Sequence, residues 1–368
     1  MRYVCESNRC TGCGACCEAC PQGAVSIEKG IRAYAAVIDE HKCSRCGKCG
    51  RICQINSPLE AMKPFECYHG WTMDEILRKE GSSGGIASSI SSAFIEKGGV
   101  AVSCTFTEGA FSFEVIRSKS DVQRFAGSKY VKSNAQIIYK PVLECLKQKI
   151  PVLFIGLPCQ VAGLKKFITP ALQEHLYTVD LICHGTPSPE LLESFLKQYG
   201  VTVKEAKDIS FREKRYYRVC PDSRMIVRQG TVDRYTLAFL FGLSYTDNCY
   251  CCQYARIERI SDLTLGDAWG SKFSQEERRK GISLLLCQTK KGKALIRLGK
   301  LHLENAKLED AMAHNDQLRR PSKEPSSRGR FFAALEKGIN FNQSVFVCMP
   351  RKCMRQYVKS LFLKFGII

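Results

Sequence analysis

Ten cysteines fall within the first 53 residues, and eight of them repeat one spacing twice. The first run is Cys10, Cys13, Cys16 and Cys20, followed by Pro21; the second is Cys43, Cys46, Cys49 and Cys53. Each reads C-x2-C-x2-C-x3-C, the ligand run of a bacterial-type [4Fe–4S] ferredoxin, whose first three thiolates wrap one cubane while the fourth crosses to the other. One cluster therefore takes Cys10, Cys13, Cys16 and Cys53, and the second takes Cys43, Cys46, Cys49 and Cys20. Small residues inside the runs (Gly12, Gly14, Ser44, Gly47) let backbone N–H groups approach cluster sulfurs. Zinc is the competing metal, but its ligands come as two separated pairs rather than four in one short run. Gln54 stands where proline is usual, and Cys5 and Cys17 are read as non-ligands. The chemistry is single-electron transfer.

Four more cysteines have a pattern of their own. Cys159 and Cys183 each follow a short apolar run, and Cys249-Tyr250-Cys251-Cys252 contains a C-x2-C pair. Brought together, Cys159, Cys183, Cys249 and Cys252 would hold a third [4Fe–4S] cluster; spacing alone chooses Cys252 over Cys251. The bland alternative is four buried thiols acting as small apolar side chains.

Elements must position these groups. Ala24–Glu28 and Ala33–Asp39 read as a hairpin between the two runs. After a linker rich in turn residues, Glu66–Trp71 reads as a strand, and Ile86, Ile90 and Phe94 recur at helical spacing. Val100–Phe106 and Phe111–Arg117 alternate about Thr107–Ala110. Pro151–Ile155 and Thr178–Ile182 are short buried runs, each followed by a helix (Gln160–Phe167 and Pro189–Tyr199). That pattern gives βα units, whose chemistry gathers at loops after strand C-termini. The expected fold is an α+β ferredoxin domain followed by an α/β flavin-binding domain with a mixed sheet. Expected boundaries are 1–57 for the ferredoxin, 66–320 for the α/β domain in parts 66–145 and 150–320, and 321–368 for a basic tail. Within that tail Arg355–Phe365 has amphipathic helical spacing.

Composition sets the class. With 45% hydrophobic and 25% charged residues in 368, the chain is an ordinary globular one, too long for a ferredoxin alone. Neither a signal peptide nor a spanning apolar run is visible, and clusters need free thiolates, so a cytoplasmic setting is expected, with membrane-peripheral attachment open. The net charge of +19 falls to about +15 once two clusters of about −2 each are counted. The cations are dispersed; the one concentration, Phe211–Arg218, is short. Nucleic acid is therefore a poor partner, and an anionic substrate or membrane surface a better one.

Five segments carry a family resemblance: Ser82-Ser83-Gly84-Gly85-Ile86, Gly127-Ser128-Lys129-Tyr130-Val131, Gly156-Leu157-Pro158-Cys159-Gln160 with Gly163-Leu164, Asp180–Gly185, and Asp262–Gly270. In this order, behind a doubled cluster run, they resemble the beta subunits of coenzyme F-420 (deazaflavin) hydrogenases and dehydrogenases. The chain looks most like bacterial relatives with a fused two-cluster ferredoxin. The resemblance implies an FAD-binding α/β domain passing electrons between clusters and a hydride carrier. It also implies the company of surface-polysaccharide assembly genes.

On that basis Ser82, Ser83, Gly84 and Gly85 open a helix whose N–H groups can meet a flavin phosphate. Ser128, Lys129 and Tyr130 offer a hydroxyl, a cation and an aromatic edge. Asp267, with Asp262 nearby, either meets a ribityl hydroxyl or caps a turn. His184 is the candidate proton donor to a reduced flavin, against a structural role. No GxGxxG follows a strand, so a nicotinamide site of the usual kind has no support. The expected protein is an iron–sulfur flavoprotein oxidoreductase working with a redox partner protein or small hydride carrier. The alternative is a non-catalytic, polyferredoxin-like electron-transfer module; a structural scaffold with redox-inert clusters is the third reading.

Overall fold

The computed structural model describes residues 2–365. The N-terminal part forms β1 (Arg2–Tyr3), β2 (Val25–Lys29) and β3 (Tyr34–Ile38), an antiparallel sheet of order β1-β3-β2. Short helices α1 (Ala15–Ala19) and α2 (Lys48–Ile52) grow out of the two cysteine runs. Its core is small: Val4, Val25, Ala36 and Ile38 share it with Cys5, Cys10, Cys16 and Cys53. So few apolar side chains cannot stabilise a domain of this length unaided, which is the usual setting for a metal-dependent fold.

The rest is built on one eight-stranded mixed sheet of order β13-β4-β12-β11-β8-β7-β5-β6. Its strands are β4 (Glu66–Thr72), β5 (Val100–Thr107), β6 (Ala110–Ile116), β7 (Val152–Gly156) and β8 (Leu176–Leu181). A separate hairpin, β9 (Ile209–Glu213) and β10 (Tyr216–Pro221), precedes β11 (Leu263–Asp267), β12 (Ser283–Cys287) and β13 (Leu301–Asn305). Strands β5, β7, β8 and β11 run parallel to one another, and both flanks are antiparallel. The turn between β5 and β6 has positive φ at Glu108 (51°) and Gly109 (70°), the geometry that matches strand twist in a two-residue hairpin.

Helices α3 (Glu75–Glu80), α4 (Ile86–Glu96), α5 (Tyr139–Lys147), α6 (Pro158–Phe167) and α7 (Pro189–Lys197) come first. They are followed by α8 (Arg234–Leu240), α9 (Gln275–Lys280), α10 (Lys290–Leu298) and α11 (Leu308–His314). Then come α12 (Arg328–Glu336), α13 (Phe341–Cys348) and α14 (Pro350–Lys364). Ile86, Ile90 and Phe94 of α4 are buried against Leu153, Val179 and Leu285 of the sheet, each apolar side chain contributing about 1.5–3 kcal/mol. A second apolar cluster joins α7, α8 and the β9–β10 hairpin around Phe195, Phe211 and Tyr235. The segment from 321 is no loose tail: Phe331, Phe332, Phe341, Val345 and Cys353 complete this core. The helix expected over Arg355–Phe365 begins earlier, at Pro350.

Candidate functional site

The two cysteine runs face different surroundings. Cys10, Cys16 and Cys53 are buried, whereas Cys46 is exposed and Cys20, Cys43 and Cys49 are half-buried. Cys10 and Cys53 both reach the Cys5 thiol, so they adjoin one another, while Cys49 lies in electrostatic reach of Cys20 and Cys43. Cys53 thus stands beside Cys10, and Cys20 beside Cys49, across the two runs. Backbone N–H groups point at sulfurs in the outer set, Ala24 N to Cys20 Sγ at 3.3 Å and Arg45 N to Cys43 Sγ at 3.4 Å.

The inner run is pressed against the α/β domain. A Cβ on Gly163 of α6 would lie 2.6 Å from Tyr139 Oη and 3.1 Å from Cys13 Sγ, so only glycine permits this approach. Tyr139 Oη donates to the Cys13 carbonyl at 2.8 Å. Gln54, the residue in the expected proline position, is 1% exposed. Its Nε2 donates to Cys159 O (2.6 Å) and Thr11 Oγ1 (3.1 Å), its carbonyl accepts from Gln253 Nε2 (3.1 Å), and its Oε1 accepts from Tyr254 Oη. Where proline could make no side-chain hydrogen bond, Gln54 fastens the two parts together.

Immediately behind this seam, Cys159, Cys183, Cys249 and Cys252 line one recess, along with Thr11 and Ile55 of the ferredoxin part. Burial, then the neighbouring Cys249 and Cys252, pushes the Cys183 thiol up to about 12. Cys252 rises to about 11, chiefly through burial. Such thiols keep their protons at neutral pH and ionise only against added positive charge, which bound iron would supply. Thr186 N–H already points at Cys249 Sγ (3.4 Å). Cys251 lines the same recess but is exposed and turned toward the Asn8 carbonyl, whereas Cys252 is half-buried. Lys132, buried in the same wall, donates to Thr11 O at 3.2 Å and Asn248 Oδ1 at 3.4 Å. Its charge favours the thiolates of Cys10, Cys159 and Cys183.

On the other side of the segment Cys183–Thr186 opens a cavity of about 550 Å³. It lies at the C-terminal ends of β7, β8 and β11, the edge where α/β sheets bind ligands. Ser82, Ser83, Gly85, Ser128, Lys129, Tyr130, His184 and Asp267 all line it. Gly85 (φ 73°) caps α4 in a left-handed turn with no side chain over the helix end. Ser91 Oγ, one and a half turns further along, is buried in the cavity wall without a hydrogen-bond partner.

Family models match at three places. Residues 9–57 match a 4Fe-4S dicluster domain. Residues 67–137 match "Coenzyme F420 hydrogenase/dehydrogenase, beta subunit N-term", and residues 151–310 its C terminus. The chain belongs to the coenzyme F420 hydrogenase/dehydrogenase beta-subunit family. Among its relatives is a subunit of the F(420)H(2) dehydrogenase of Methanosarcina mazei, 22% identical over 303 residues that cover 74% of this chain and 81% of that one. A solved relative is the F420-reducing [NiFe] hydrogenase complex of Methanosarcina barkeri. Its matching chain is 17% identical, with 75% of this chain and 95% of that chain aligned at a TM-score of 0.49.

Within this family member, two residues singled out from sequence take other roles. Gly84 does not line the cavity. Its N–H donates to Ser283 Oγ (2.9 Å), and a Cβ there would lie 2.5 Å from the Gly70 carbonyl. Glycine is needed at 84 for the fit against the sheet. Asp262 is buried and engaged by Thr178 N, Thr178 Oγ1 and Thr289 Oγ1 at 2.7–2.8 Å, which makes it structural.

Asp267 lines the cavity but is clamped by Arg212, with Nη1 to Oδ2 at 2.6 Å and Nη2 to Oδ1 at 3.1 Å. Arg212 in turn stacks over Tyr217, 4.8 Å from its centroid. Lys129 is half-buried and donates to the Phe125 (3.0 Å) and Ala126 (2.8 Å) carbonyls; desolvation lowers its pKa. His184 is exposed at the cavity wall, and desolvation by the chain around it lowers its pKa from the usual histidine value.

Sequence reasoning missed Arg212, Tyr217, Gln160 and Trp269 as cavity residues. The first two sit in the run read only as a concentration of charge. The missed signal was its alternation, Phe211 and Val219 inward, which marks a hairpin.

Proposed function

We propose that the chain is an iron–sulfur flavoprotein oxidoreductase in which electrons pass from the outer cysteine run to the inner one, then through a third cluster to a flavin cavity. One observation carries this reading: the Cys159, Cys183, Cys249 and Cys252 recess touches the inner run on one side and shares the wall Cys183–Thr186 with the large cavity on the other. Four thiols in that position make a relay between two one-electron centres and a pocket of ligand size.

In the cavity, the free N–H groups at the start of α4, the Ser82 hydroxyl and the unpartnered Ser91 Oγ would hold an FAD by its phosphates and sugar. Tyr130, Phe239 and Tyr217 form an aromatic wall, with Tyr130 stacked on Phe239 at 4.2 Å between centroids. When bound there, FAD supplies the conversion between single electrons and hydride. His184, neutral near pH 7 because its pKa is depressed, takes up and returns a proton at the cavity wall. The Arg212–Asp267 pair fixes the opposite wall and keeps its charge internally balanced.

The exposed outer run is the entry for a redox partner protein. Arg45, Lys48 and Arg51 flank Cys46 in sequence, and the Arg51 charge reaches it. A soluble deazaflavin, the carrier that gives the family its name, is a hydride partner of suitable chemistry for the cavity mouth. Surface-polysaccharide assembly forms no part of the proposal, since no residue of the chain speaks to it.

Anaerobic protein should contain about twelve irons and one flavin per chain. Cys183→Ala should remove about four irons, keep the ferredoxin signals and stop cluster-driven flavin reduction. Wild-type protein with stoichiometric flavin and only about eight irons would overturn the relay. Protein with all its iron but no flavin would leave the electron-transfer module in its place.

A further inference from the structure

The last helix presents an apolar stripe to solvent. Met354, Tyr357, Val358, Leu361, Phe362 and Phe365 are spaced i, i+3, i+4, i+7, i+8 and i+11, and each is between 37% and 69% exposed. That spacing places all six on one helical face. The opposite face holds α14 to the protein: Cys353 is fully buried, Gln356 Oε1 accepts from Val232 N at 3.0 Å, and Leu363 packs on Gly230. A helix whose inner face is already satisfied has no intramolecular reason for a second apolar face. Phe346, Val347, Leu240 and Phe241, on neighbouring helices, are exposed as well. Lys352 Nζ lies over the Phe241 ring at 3.4 Å.

Charge identifies what this face meets. Residues 337–368 contain no aspartate or glutamate, but they carry Lys337, Arg351, Lys352, Arg355, Lys359 and Lys364. On the helical wheel Arg355 and Lys359 flank one side of the stripe and Lys364 the other. Aromatic and aliphatic groups between cationic borders, with no carboxylate, fit an anionic lipid surface better than a protein groove, whose rim would mix both signs. Among the described residues no helix is long and apolar enough to cross a membrane, so insertion would be shallow.

We propose that α14 is an interfacial anchor that lays the protein on anionic bilayers, its stripe in the acyl boundary and its arginines and lysines at the headgroups. This stands apart from the redox reading and uses none of the cysteine sites.

The test is flotation of the full-length, cluster-loaded chain with vesicles of phosphatidylcholine alone or with about 30% phosphatidylglycerol. Binding should appear only on the anionic vesicles and weaken at high salt. Leu361→Asp with Phe362→Asp should reduce it about tenfold or more, with the iron–sulfur spectrum and melting temperature unchanged, since both sites are exposed. Arg355→Glu with Lys359→Glu should do the same through charge. Failure to float, equal binding to neutral vesicles, or indifference to the stripe variant would each overturn the proposal. A solution dimer dispersed by the stripe variant, without vesicle binding, would assign the face to a second copy instead.

Discussion

The inner and outer cysteine runs are near-copies in sequence and opposites in surroundings. The outer one leaves Cys46 exposed; the inner one buries Cys10 and Cys16 and sets Cys13 against Gly163. A repeated ligand run fixes that two clusters form, not what each is for. Packing separates them: one lobe faces solvent, and the other meets the rest of its own chain.

The comparison breaks most completely at Gly163. Gly163→Leu forces a branched side chain into the Tyr139 Oη and Cys13 Sγ positions, at a cost of about 3 kcal/mol or more. The expected result is a lower melting temperature, loss of the inner-cluster EPR signal and survival of the outer one. Equal loss of both signals would mean that the lobes do not behave separately.

Cys46→Ala and Cys13→Ala sharpen the same contrast. Cys46→Ala should abolish reduction by a protein donor while a small chemical reductant still reaches the inner cluster. Cys13→Ala should stop both routes. Anaerobic stopped-flow with the two donors distinguishes them.

Lys132→Met removes the buried cation shared by the inner run and the four-thiol recess. Without it the reduced, more negative clusters lose stabilisation, so the potentials of the inner and third centres should fall while the outer one holds. Redox titration followed by EPR reads each separately.

The smallest effect belongs to the outer rim. Arg45→Glu with Arg51→Glu should slow reduction by an acidic electron carrier about tenfold at low salt and hardly at all at high salt. Insensitivity to salt would remove electrostatics from partner docking.

What could be read from sequence followed the range of the interactions. The ligand runs, the β5–β6 hairpin, the β7–α6–β8 unit and α4 are set by neighbours a few residues away, and their signals are correspondingly plain. The convergence of Cys159, Cys183, Cys249 and Cys252 was legible only as a set of thiols after strands, because their meeting depends on strand order in the sheet. Arg212 escaped notice since its partner Asp267 is 55 residues away. Gly84 was misread for a related reason: a glycine before a helix looks the same whether it makes room for a cofactor or for the Gly70 carbonyl of β4. The helices after 321 were masked by their charge, although Phe331, Phe332 and Phe341 belong to a core.

Gln54 has a kinetic consequence. Its bonds to Cys159 O, Gln253 and Tyr254 span the seam between the two parts, so centres held on either side would keep a fixed separation. Transfer across that boundary then needs no swinging of one domain toward the other, and its rate should be indifferent to glycerol or other viscogens. Replacing Gln54 with proline would remove every side-chain hydrogen bond it makes and leave the seam to the Tyr139–Cys13 and Lys132–Thr11 bonds. Internal electron flow would then take on the viscosity dependence of a tethered carrier searching for its dock.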